Sequence, residues 1–339
     1  MNDQAKKYLI VGPAWVGDMV MAQSMFKLIM QQTPAAIIDV VAPAWTEPLL
    51  QRMPEVHEAI PVALGHGQLG LSQRWRLGKS LRHRHYDHAI VLPRSLKSAI
   101  VPFAAKAGQR TGYLGELRWG LLNDIRPLDK IRLPRTVDRF NFLALQGSTT
   151  LPAPTPQPRL QSGTTAADVL CHLSWQQPDG PVLGLCPGAE YGPAKRWPAR
   201  YFAELARDRL EQGWQVWLFG SEKDKAITGE IQQLCNNRCL DLAGVTKLAE
   251  AIDMMSLTHA VVTNDSGLMH VAAALDKPVV AIYGSSDPGF TPPLSDRARI
   301  VRLGLGCSPC FKRECPLGHL RCLNDIKPEQ VITALESQL

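Results

Sequence analysis

The 339-residue chain contains no run of about 18 apolar residues, so no segment reads as a membrane-spanning helix. Its opening, MNDQAKKYLIVGPAW, lacks a long apolar core and a small-residue cleavage site after the lysines, so no leader is expected and the chain should stay in the cytosol. Aromatic residues are scarce, at 6%, which leaves no obvious stacking platform for single-stranded nucleic acid. The first βα loop, Gly12 to Asp18, is not the G-x-G-x-x-G dinucleotide fingerprint and lacks the Gly-Lys-Ser/Thr of a P-loop, which disfavours ordinary NAD or ATP chemistry. What is present, 45% hydrophobic and 20% charged residues with mean hydropathy −0.10, excludes disorder, collagen and coiled coil. The length suggests about two domains of roughly 150 residues.

Net charge is +6, but unevenly spread: residues 1–160 hold 20 Lys+Arg against 11 Asp+Glu, and residues 161–339 hold 17 against 20. A basic first half suits an anionic partner, whether nucleic acid, a membrane surface or a phosphorylated substrate, and also suits a merely solvated basic face.

Short apolar runs alternate with amphipathic segments. Strands are expected at 8–11, 37–41 and 88–92, with helices at 19–31, near 69–84 and near 95–106. LPAPTPQP, residues 151–158, puts a proline at every second position and reads as an extended linker. The alternation then restarts, with strands at 182–186, 214–219, 260–263 and 278–283, helices near 199–212, 223–235, 246–257 and 266–275, and a closing helix at 327–339. The pattern predicts an α/β fold of two doubly wound, Rossmann-like domains, 1–165 and 166–326. Sheets of this kind bind ligands outside the carboxyl ends of their strands, so two facing domains would share an interdomain cleft.

Four loops at such strand ends carry candidate chemistry. Gly12-Pro13-Ala14-Trp15-Val16-Gly17-Asp18 offers one carboxylate, Asp18, as general base or as helix cap. Cys186 to Pro198 brings Lys195 and Arg196 just before a helix, where an anion would be held and a developing negative charge offset. Thr263-Asn264-Asp265-Ser266-Gly267-Leu268-Met269-His270 opens an Ala-rich helix; Asp265 or Ser266 can cap it, and the amides of Ser266, Gly267 and Leu268 would face a phosphate. His270, one turn in, supports the phosphates or simply packs. Gly220-Ser221-Glu222-Lys223-Asp224 offers acids that suit ribose hydroxyls as well as a solvated helix start.

In this order, VGPAWVGDMVMAQS, APAW, RMPEV, LPRSLKSAIVPF, RTGYLGELRWGLLND, CPGAEYGPAKRWP, FGSEKD and VTNDSGLMHVAAAL resemble the ADP-heptose:lipopolysaccharide heptosyltransferases (glycosyltransferase family 9), and their type II branch most closely. The resemblance spans nearly the whole chain. It implies a GT-B architecture, with the acceptor on the first domain and the ADP-sugar on the second. It implies transfer of L-glycero-D-manno-heptose from ADP-heptose to the first heptose of a heptosyl-Kdo2-lipid A acceptor, with inversion and no required cofactor or metal. The enzyme would work at the cytoplasmic face of the inner membrane, peripherally bound, where the basic half meets the acceptor's carboxylates and phosphates.

Carried over residue by residue, Asp18 matches the family's proposed base and Lys195 its phosphate-binding lysine. Ser266, Gly267, Leu268 and His270 fall in its diphosphate turn, and Asp224 matches its ribose-binding acid. Glu190 and Tyr191 stand where type I enzymes carry hydroxyl residues, which favours type II. For the acceptor, Lys97 and Arg118 are the candidates in family-like segments, with Arg94 and Arg110 behind them.

Cys307, Cys310, Cys315 and Cys322, with His319 nearby, suit a structural zinc or iron–sulfur site, a disulfide, or free thiols in a substrate-lining loop. The spacing matches no standard metal pattern and the cytosol is reducing, which favours the last. Other ADP-sugar transferases or hydrolases on the same scaffold, and a basic nucleic-acid-binding protein with a zinc module, are the competing functions. The cysteine cluster lies in the acidic half, which speaks against a nucleic-acid partner.

Overall fold

A computed structural model describes residues 5–62, 68–146 and 150–339. The chain divides into two compact units, Met1–Pro158 and Arg159–Leu339.

The first unit runs β1 (Lys7–Val11), α1 (Val16–Gln32), β2 (Ile37–Pro43), α2 (Glu47–Leu50), β3 (Glu58–Val62), α3 (Leu71–Ser80), β4 (His88–Val91), α4 (Ile100–Ala104), β5 (Gln109–Tyr113), β6 (Asp124–Arg126) and α5 (Thr136–Ala144). Its sheet is wholly parallel with strand order β3-β2-β1-β4-β5-β6. The central strands are buried on both faces, which is why they read as unbroken apolar runs. Helix α1 is likewise buried along most of its length and packs against α5.

The second unit runs α6 (Ala166–His172), β7 (Val182–Cys186), α7 (Ala199–Glu211), β8 (Gln215–Leu218), α8 (Lys225–Leu234), β9 (Leu240–Asp241), α9 (Leu248–Ser256), β10 (Ala260–Asn264), α10 (Gly267–Ala274), β11 (Val279–Ile282), β12 (Ala298–Val301), α11 (Arg321–Asn324) and α12 (Pro328–Glu336). Its parallel sheet has the order β12-β11-β10-β7-β8-β9, which repeats the order of the first unit when counted from β7. In each unit the strand order therefore reverses beside its first strand, between β1 and β4 and between β7 and β10. Those two points are where doubly wound sheets open a crevice for ligand. The core of the second unit gathers Trp197, Phe202, Leu205, Val262 and Ile282 with Val331 and Leu335 of α12.

The division falls at Pro158/Arg159, ahead of the expected residue 165. Leu160 N–H donates to Ala274 O at 2.9 Å and Arg159 pairs with Asp276 at 2.6 Å, so the chain joins the second unit as soon as the prolines end. The closing helix packs on α7, β11 and β12 and belongs to that unit, and Trp197 Nε1 donates to Ile326 O just before it. The helix expected at 95–106 is a 3₁₀ turn, Leu96–Ala99, followed by the short α4. Among the described residues no helix is long and apolar enough to cross a membrane.

Candidate active site

Two loops meet at the reversal point of the second unit. Lys195 follows β7 and Asp265 follows β10, and Lys195 Nζ lies 2.5 Å from Asp265 Oδ2, with both side chains largely covered. Asn264 fixes the two loops together: its Nδ2 donates to Pro187 O at 2.7 Å and its Oδ1 accepts from Trp197 N–H at 3.0 Å. Asn264 is fully buried, so both ends of the amide need these partners. Sequence reasoning did not single out Asn264 or the Lys195–Asp265 ion pair; an Asn-Asp pair at the end of a buried strand was the available signal.

Ser266 occupies the N-cap of α10 in extended conformation but makes no side-chain capping bond, and Asp265 is engaged by Lys195. The expected cap is therefore absent from this helix end, which leaves first-turn amides to be met by solvent or ligand. His270 is buried, and burial pushes its imidazole down to about 4, with Asp265 opposing and Lys195 reinforcing the shift. It is neutral at neutral pH and packs rather than offering a cation.

Asp224 sits in a capping box in which its Oδ2 accepts from Ser221 N–H at 2.9 Å and from Ser221 Oγ at 2.8 Å. Gly188 makes room for it, since a Cβ there would fall 2.3 Å from Asp224 Oδ1. The β7 and β8 loops thus touch at a carboxylate. Glu190 pairs with Lys223 across an exposed 2.5 Å contact. Tyr191 donates its hydroxyl to Phe311 O at 2.7 Å and presents its ring to Lys195 Nζ, 5.1 Å from the centroid.

In the first unit, Asp18 lies in the first turn of α1, partly buried, while the N-cap is Trp15. The carboxylate stands three residues after the N-cap position, inside the helix start, where the dipole favours its charge. Gly12, Pro13 and Ala14 form the loop before it, and Trp45 Nε1 ties that loop down through Ala14 O at 3.0 Å. The loop after β4 carries Arg94, exposed, and Lys97, partly buried with its Nζ donating to Gln68 O at 3.2 Å.

Arg118 is a correction. It is 2% exposed and donates to Pro93 O at 2.7 Å, to Ser98 Oγ at 3.3 Å and, through a short contact, to Tyr113 O. Burial and nearby Arg94 lower its pKa. Its guanidinium binds two loops of its own unit together and is not a surface ligand. Arg110 likewise serves backbone, donating to Leu121 O at 2.7 Å and Ala107 O at 2.6 Å.

All eight cysteines are free thiols. The N–H of Leu320, helped by those of Leu317, His319 and Gly318, holds the Cys315 thiol below its ordinary range, while burial raises that of Cys322. Among the described residues no three of Cys307, Cys310, Cys315 and Cys322 bring their sulfurs within 4.8 Å of one another. Asp39, His57 and Glu58 do approach that closely, but Arg84 bridges both acids and Tyr86 donates to Asp39, an ion-pair network already satisfied.

Similarity to known proteins extends over the whole chain. The model of glycosyltransferase family 9 (heptosyltransferase) matches residues 74–321. The chain is 49% identical to lipopolysaccharide heptosyltransferase 2 of Salmonella typhimurium and 48% identical to that of Escherichia coli, covering 98% of this chain and of each relative. It superposes on the structure of E. coli ADP-heptose lipopolysaccharide heptosyltransferase II with a TM-score of 0.87 at 46% identity, over 98% of both chains. Two tandem doubly wound units of this kind are the GT-B fold class. The chain belongs to glycosyltransferase family 9, the heptosyltransferases, and is a glycosyltransferase.

Proposed function

We propose that the chain moves L-glycero-D-manno-heptose from ADP-heptose to the first heptose of the Kdo-lipid A inner core. The observation that carries this reading is the Lys195–Asp265 pair beside the uncapped start of α10, at the reversal point of the second unit's sheet. A covered ammonium and unsatisfied amides suit a nucleotide diphosphate there. Near half identity to lipopolysaccharide heptosyltransferase 2 over the full length supports the choice of sugar and acceptor.

The step would run as one displacement at the anomeric carbon. Asp18 takes the proton of the acceptor hydroxyl, the hydroxyl oxygen forms the new glycosidic bond, and the bond to the diphosphate breaks from the opposite side, inverting the centre. ADP leaves with the electron pair, and Lys195 with the amides of Ser266, Gly267 and Leu268 offsets its growing charge. Side chains and amides of the chain cover each of these roles, so the proposed reaction requires no cofactor.

The basic first unit exposes Leu114, Leu117 and Trp119 beside the Arg94–Lys97 loop, which favours peripheral work at the cytoplasmic face of the inner membrane on a lipid-borne acceptor. Mass spectrometry of a mono-heptosylated core acceptor incubated with ADP-heptose should show the gain of one heptose. Release of free heptose at the same rate without acceptor would identify a hydrolase instead. Cosedimentation with vesicles containing anionic lipid tests the membrane association separately.

A further inference from the structure

Residues 302–320, which carry Cys307, Cys310 and Cys315, form no helix or strand, yet they are seated firmly on the donor side of the second unit. Ala194 N–H donates to Arg313 O at 3.0 Å, Phe311 N–H to Ser285 O at 2.7 Å, and Ser308 Oγ to Gly284 O. With the Tyr191 hydroxyl on Phe311 O, these bonds join the loop to the ends of β7 and β11. Gly192 permits the contact, because a Cβ there would fall 2.6 Å from Arg313 O.

This seating brings a second cation to the Lys195 turn. The Arg313 guanidinium lies 5.3 Å from the centroid of the Tyr191 ring, the same ring that Lys195 Nζ approaches to 5.1 Å. Lys195 has Asp265 as counter-ion, whereas among the described residues Arg313 has no carboxylate within ion-pair distance. Two like charges gathered on one aromatic ring repel, and a cation–π contact on an exposed face offsets only part of that. An unmatched hydroxyl lies in the same place: Ser285, whose N–H donates to Ala194 O and whose C=O accepts from Phe311, is 1% exposed and its Oγ has no hydrogen-bond partner. A multiply charged anion at this turn would answer both.

We infer that Arg313 is a second cationic ligand of the donor's diphosphate, delivered by the Cys-rich loop and set beside Lys195 by the Tyr191 ring. The inference rests on the donor site proposed above. It gives the loop a role in binding that depends on its backbone seating.

Calorimetric titration of the full-length protein with ADP tests it. Arg313→Ala should weaken ADP binding about tenfold, the loss expected for one charge-assisted contact, and Arg313→Glu more. Arg313→Lys should stay within about threefold of wild type, and the gap between wild type and Arg313→Ala should narrow as salt rises. Lys312→Ala, which changes charge on the same loop, should have little effect. Unchanged ADP affinity in Arg313→Ala, an equal loss in Lys312→Ala, or a loss accompanied by a lowered melting temperature that Arg313→Lys does not rescue would each overturn the assignment. Wild-type protein that ignores ADP would instead overturn the donor-site reading, and this one with it.

Discussion

At the reversal point of the first sheet, the loops after β1 and β4 carry an acid inside a helix start, Asp18, and the basic residues Arg94 and Lys97. At the matching point of the second sheet, the loops after β7 and β10 carry an ammonium already paired with a carboxylate and clamped by a buried amide. Strand order is the same in both units, so topology decides where the crevice opens and the loops decide what it holds. Positive charge is also used differently. In the first unit Arg110 and Arg118 are consumed by backbone carbonyls, and only part of its basic excess faces outward.

Substitutions can sharpen this contrast. Asp18→Asn should lower turnover by about 10²-fold or more while leaving ADP affinity nearly intact, because a general base acts on the chemical step; coupled transfer assays and calorimetry read the two effects separately. Lys195→Ala should lower donor affinity and turnover together, by about 10-fold or more each, and a selective effect on turnover alone would break the division of labour between the units.

Arg118→Ala should destabilise the chain by about 1–3 kcal/mol, since it strands buried carbonyls, with acceptor affinity altered only as far as the loops shift; denaturant melts and acceptor titrations check it. A further effect is one of pH, and here the units should behave alike. Burial pushes His88 of the first unit and His270 of the second down to about 4. Below about 6.5 the unfolded chain takes protons that the folded histidines refuse, so stability present above that pH is lost as pH falls toward 4. The slope is about 1.4 kcal/mol per pH unit for each histidine, and His270→Gln should remove half of it in melts between pH 7 and 5.

Most core strands and the loops that end them were legible in the sequence; the sheet margins and β5 were not. β1, β4, β7, β10 and β11 are buried on both faces and read as apolar runs. The unforeseen β3, β6, β9 and β12 are edge strands, short, mixed in polarity and, in β3, interrupted by Pro61, as suits strands paired on one side only, while the equally unforeseen β5 lies inside its sheet but reads Gln-Arg-Thr-Gly-Tyr, with no apolar run. The site shows the same boundary. Lys195, Ser266 and Asp224 were singled out as candidates because glycine and proline mark strand-end loops, whereas Arg118 was misjudged because a long basic side chain looks the same in sequence whether it meets solvent or carbonyls. Asn264 was missed because its partners lie on another loop, 67 and 77 residues away.

The Lys195–Asp265 pair bears on how a nucleotide would leave as well as how it would arrive. An ammonium already neutralised must surrender or share its carboxylate when a phosphate comes in, so the exchange yields less affinity than an isolated charge would. By the same exchange, departure strands no charge, because the aspartate is waiting to take the lysine back. As a donor site, such a turn would favour quick vacancy between cycles over the tightest hold.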